Sequence, residues 1–169
     1  MTIGMYSASV PVFQRQLRAL GNVLDKGTAF AASKKMKDDV ILQLRLYPDM
    51  LPFVSQIRIA SDFAKNTPAL LAGVEPPKFE DNEATLAECK ARIDKTLAYI
   101  GDFRREQIDG SDGKDITRTI AGNPMTFKGE VYLEHFAMPN FYFHVTTAYA
   151  ILRSIGVEIG KRDFIGGLQ

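Results

Sequence analysis

Apolar residues recur along most of this chain in steps of three and four, the spacing that lines one face of an α-helix. Val10, Phe13, Leu17, Leu20 and Leu24 form the first such stripe, which predicts a helix from about Ser7 or Ser9 to about Ala32. Pro11 then falls in the first turn, where its missing N–H does no harm. Gly21 and Gly27 weaken the helix by about 1 kcal/mol each relative to alanine, so its far end should bend or fray. The basic run Ser33 to Lys37 reads as a solvated connector, and Asp38 can cap a short helix through Leu44 that stops ahead of Pro48. Asp49 stands where an N-cap would stand, with Pro52 in the first turn of a second long helix that reaches Ala72 and ends at Gly73. Its inward stripe is Phe53, Ile57, Ala60 and Ala64, and Pro68 predicts a kink or an early stop near Asn66.

Pro76 and Pro77 force an extended crossing. Asp81 or Asn82 starts the third long helix, with Glu83 in its first turn and a seam of Leu86, Cys89, Ile93, Leu97 and Ile100. After Gln107 the pattern changes period. Asp115 to Ile120 alternates, Ala121-Gly122-Asn123 can turn, and Met125 to Phe127 can return, which predicts a short β-hairpin lying on the helices. Gly129 to Gly156 reads as one long fourth helix with Phe141, Val145, Ala148 and Leu152 inward, kinked at Pro139 next to Asn140. The tail beyond it holds too much glycine for a helix, but Ile159, Phe164 and Ile165 can pin it to the rest. These elements predict one all-α domain over residues 1–169: four long helices in an antiparallel bundle, with the hairpin between helices three and four.

A chain of 169 residues, 46% of them hydrophobic, can bury a substantial core. Its formal charge of +1 gives no field for nucleic acid or an anionic membrane. The opening lacks a secretory pattern and no segment is long and apolar enough to span a bilayer, so a soluble, cytoplasmic protein is expected. The one cysteine, Cys89, lies on a helical seam and reads as a small core residue. Arg58 with Asp62, and Asp62 with Lys65, are spaced as exposed helical ion pairs. Phe136, Phe141 and Phe143 fall on several sides of one helix, more apolar surface than one stripe needs, and predict a homodimer.

Beside the fourth apolar stripe runs a polar line, Asn140, His144, Thr147 and Ile151. Asn140 and His144 are an i, i+4 pair and can share a ligand, with Asp49 or Gln56 opposite on the second long helix. They can equally form a buried hydrogen-bond network that sets helix register. His135 lies about 180° around an ideal helix from His144 and belongs to another face. No triad order, phosphate loop, Cys-x-x-Cys or His-Glu-x-x-His motif occurs, so the function stays between small-molecule binding or catalysis at this pair and a structural role.

MYSASVPVFQRQL, LRLYPDMLPFVSQIRIASDFAK and FAMPNFYFHVTTAYAILRSIGVEIGKRDFIG together resemble a bacterial family known as domain of unknown function 1993. That family is similar in fold to the DinB/YfiT-like proteins, up-down-down-up four-helix bundles, many of them regarded as metal-dependent enzymes or thiol transferases. The resemblance implies a metal site made by one histidine of the second helix and a His-x-x-x-His pair on the last. Here Asn140 takes the first place of the pair, His144 the second, and Gln56 or Asp49 the remaining position. Neutral amide oxygens are poor zinc ligands. No cofactor is therefore expected beyond a weakly bound divalent metal, and no stoichiometric zinc.

Overall fold

The computed structural model describes residues 3–120 and 122–167. Its elements are α1 (Met5–Ser33), α2 (Asp38–Leu42), α3 (Phe53–Ala72), α4 (Leu86–Gly101) and α5 (Arg105–Ile108). The strands β1 (Asp115–Ile120) and β2 (Asn123–Lys128) follow, then α6 (Gly129–Val131), a π-helical stretch Tyr132–Ala137, α7 (Met138–Ser154) and α8 (Lys161–Ile165). The protein is thus mostly helical with a two-stranded antiparallel hairpin. The four stripes read from the sequence all point inward: Phe13, Leu17, Ile57, Ala60, Ile93, Phe141, Ala148 and Leu152 are fully buried.

α1 begins earlier than its stripe suggests, so Pro11 sits inside the helix and not in its first turn. The carbonyl of Ser7, four residues back, therefore lacks a helical partner. The helix nonetheless runs unbroken to Ser33, because its glycines lie at helix crossings: a Cβ on Gly27 would come within 3.0 Å of Leu152 Cδ1. α3 likewise continues through Pro68 to Ala72, and Gly73 ends it at φ 76°. Its N-cap is Pro52; Asp49 is exposed in the preceding turn and caps no helix among the described residues.

α4 starts at Leu86, later than Asp81 or Asn82. Thr85 caps it, receiving the Glu88 N–H at 3.1 Å while the Glu88 carboxylate accepts the Thr85 N–H at 2.9 Å. Asp38, expected to cap α2, instead accepts the Leu86 N–H at 2.8 Å. Glu83 is thereby freed from helical geometry and lies between two guanidiniums, 2.6 Å from Arg58 Nε and 2.8 Å from Arg92 Nη1. Arg92 also reaches Asp62 at 3.0 Å. The exposed Arg58–Asp62 pair is therefore replaced by a largely buried cluster; Lys65 does meet Asp62, at 3.1 Å, but is itself buried. The Phe79 ring covers this cluster, with Lys65 Nζ 4.3 Å and Lys95 Nζ 4.1 Å from its centroid.

The hairpin pairs Ile116 with Phe127 and Thr117 with Thr126. Gly122, at φ 82°, turns the chain, and Ala121 lies outside the described residues. Where β2 enters the last helical segment, a Cβ on Gly129 would fall 2.0 Å from the Ser111 carbonyl oxygen. Gly129→Ala is accordingly expected to lose about 2 kcal/mol of stability by forcing backbone apart, read as a lower urea midpoint. α7 ends as expected: Gly156 turns at φ 99° and the buried Val157 donates to the Leu152 carbonyl at 3.2 Å. The tail departs from expectation, since Lys161–Ile165 forms a short helix against α1, started by Asp163 accepting the Gly160 N–H at 2.8 Å.

Candidate functional site

Pro139 offers no N–H, so the helical ladder must change spacing ahead of it. The chain widens to a π-helix before the proline: the Met138 N–H bonds to the Leu133 carbonyl, five residues back. Such wide turns frequently occur at functional positions. One turn later, Asn140 Nδ2 donates to the Phe136 carbonyl at 2.7 Å. A carbonyl only accepts, so the atom facing it is the amide nitrogen, and Oδ1 is left facing away.

The same reasoning fixes the histidine. Gln56 is buried on α3, and its Nε2 donates to the Leu51 carbonyl at 2.9 Å. Its Oε1 therefore faces His144, 2.7 Å from Nδ1. An amide oxygen cannot donate, so Nδ1 carries the proton and Nε2 keeps its lone pair. Among the described residues Nε2 has no hydrogen-bond partner, and it is not one of the sealed, unsatisfied atoms. Thr147, the next residue of the polar line, donates its hydroxyl to the Phe143 carbonyl at 2.8 Å.

Aromatic rings frame these groups. Phe63 of α3 stacks on the His144 ring at 6.4 Å and meets Phe136 edge-on at 5.8 Å, so it bridges the stripe Phe136, Asn140, His144. Phe143 stands edge-on to His144 at 5.3 Å and is 55% exposed. Periodicity did not single out Phe63. Burial lowers the His144 pKa from its ordinary value. The unfolded chain, with a histidine pKa near 6.5, thus takes up this proton first as pH falls. The His144 contribution is complete above about pH 6.5 and is lost as pH drops through the folded pKa. His144→Gln should flatten that acid limb in urea unfolding followed against pH.

Gln56, Asn140 and His144 are thus brought together, whereas Asp49 is not: no hydrogen bond or ion pair joins it to them among the described residues. His135 is exposed, and no bond joins it to these three among the described residues. The metal implied by family resemblance does not fit this donor set. One free imidazole nitrogen and one amide oxygen fall short of the ligands a zinc site uses, and no group of three His, Cys, Asp or Glu able to hold an ion occurs among the described residues. Cys89 is buried in the core, its thiol pushed up to about 12 mainly by burial, and is no nucleophile. The apolar surface read from three phenylalanines is reduced as well. Phe141 is in the core against Phe13, Phe136 is half-buried, and Phe143 alone of the three is exposed.

No described helix is long and apolar enough to cross a membrane. No curated protein matches the chain. The crystal structure of a DinB family member protein from Shewanella denitrificans is similar to it, with a TM-score of 0.90 and 38% identity over 96% of this chain and 92% of that one. The sequence model of the family described as domain of unknown function DUF1993 matches residues 5–165. With nearly its whole length matched, and with the helical fold shared by the Shewanella protein, the chain belongs to the DUF1993 family.

Proposed function

We propose that this protein binds a small molecule at the face formed by His144 and Asn140, on an up-down-down-up bundle of α1, α3, α4 and α7. Paired contacts support that topology. Phe13 with Phe141 and Gly27 with Leu152 support a parallel α1 and α7, and Asp62 with Arg92 and Lys65 with Lys95 on the Phe79 ring support the same for α3 and α4. Gln56 with His144 and Phe63 with Phe136 run oppositely, as do Gln14 with Gly101 and Asp25 with Lys90.

The observation that carries the binding reading is the Leu51–Gln56–His144 chain of bonds. A partner that only fixed register could sit in either tautomer. Here the amide leaves an imidazole lone pair at the rim of an aromatic surface, a convergence of polar and apolar groups that suits a ligand. A second reading has support too: each polar side chain of the group is hydrogen-bonded within the protein, and clefts such as the one of about 650 Å³ beside Arg15 and Arg18 are lined by other residues. In that reading the polar pair sets helix register and binds nothing.

A fragment screen by two-dimensional NMR separates the two. Binding fragments should shift His144, Asn140 and Phe143 together, and His144→Ala should abolish those shifts in a folded protein. A screen in which no fragment moves these residues gives the register reading.

A further inference from the structure

Each of the four polar side chains gives one donor to the protein. Gln56 Nε2 is on the Leu51 carbonyl, His144 Nδ1 on Gln56, Asn140 Nδ2 on the Phe136 carbonyl and Thr147 Oγ1 on the Phe143 carbonyl. The atoms left without a partner among the described residues, His144 Nε2 and Asn140 Oδ1, are both acceptors, and beside them the Asn140 amide keeps one further N–H. They stand one helical turn apart on the same stripe, spanned by Phe63. Among the described residues none of the four side chains is paired with a charged group.

Resting on the binding reading above, we infer that the ligand is an organic cation of the ammonium or amidinium class attached to an apolar body. Two lone pairs face a single remaining N–H, that of Asn140, so a carboxylate or phosphate would lose water from several oxygens and gain one donor. The same face accepts N–H donors from a cation, and the π-faces of Phe63 and Phe143 attract positive charge. The exposed side chains of Leu51 and Phe143 give the apolar body its contact.

Matched probes test this: benzamidine as the cation and benzoate as the anion, titrated into labelled full-length protein and read by NMR. Benzamidine should shift His144, Asn140 and Phe143 and bind at least about tenfold more tightly than benzoate. Asn140→Leu should weaken it about tenfold. Because Asn140 also supports the Phe136 carbonyl, Phe143→Ala at the exposed rim serves as a second variant that keeps the fold; it should weaken benzamidine about threefold. Benzoate binding at His144 as tightly as benzamidine overturns the inference and leaves the binding face standing. Benzamidine binding unchanged in both variants also overturns it, and no shift at His144 with either probe removes the inference and the binding face together.

Discussion

Arg92→Ala is expected to destabilise the protein by about 3 kcal/mol, since removing one partner of a buried ion pair leaves the other uncompensated. The Arg92 side chain is 2% exposed and holds Glu83 at 2.8 Å, the Glu80 carbonyl at 3.1 Å and Asp62 at 3.0 Å. Its loss leaves Glu83 with Arg58 as its one remaining guanidinium and unties the segment that crosses from α3 to α4. Burial alone would raise the Glu83 pKa, but hydrogen bonds from Arg92 and Arg58 outweigh it and hold the carboxyl below its ordinary value. That stability is present above the unfolded pKa near 4.3 and is lost as pH falls through the folded one. Urea unfolding should show both the lower midpoint of Arg92→Ala and a weaker acid dependence. An unchanged midpoint would place the cluster among surface pairs that contribute little.

Phe141→Ala is expected to cost about 4 kcal/mol, the range for truncating a fully buried phenylalanine in a core that cannot collapse around the void. Its ring meets Phe13 edge-on at 4.9 Å and is completely enclosed. The residue lies one turn before the histidine it positions, so the loss should also broaden the His144 signals by loosening how α7 sits on α1. Calorimetry and the histidine spectrum check the two effects together.

How much of this was legible follows from which interactions are local. Stripes such as Phe53, Ile57, Ala60 and Ala64 depend on helical period alone and were readable. Helix starts were not, because caps come from afar: Asp38 serves Leu86 of α4, and Asp109 accepts the Tyr6 N–H of α1 at 2.8 Å. The Thr85-x-x-Glu88 capping box was a local signal that would have moved the third helix start and released Glu83. Arg58 chose Glu83 over the neighbour one turn away because the crossover folds back over α3. At the site, the spacing of Asn140 and His144 was readable and Gln56 was named as a facing residue. Asp49 failed because the turn before Pro52 keeps it in solvent. Phe63 is a tertiary neighbour that no one-dimensional pattern ties to His144.

The central claim is that Gln56 holds His144 as a neutral imidazole with a bare Nε2. A long-range nitrogen–proton correlation spectrum of the histidine rings at neutral pH reads this directly. The expected result is a proton on Nδ1 of His144 and a lone pair on Nε2, with Gln56→Leu turning the ring into a mixture of tautomers. A His144 ring protonated on Nε2, or one that Gln56→Leu leaves unchanged, contradicts the account.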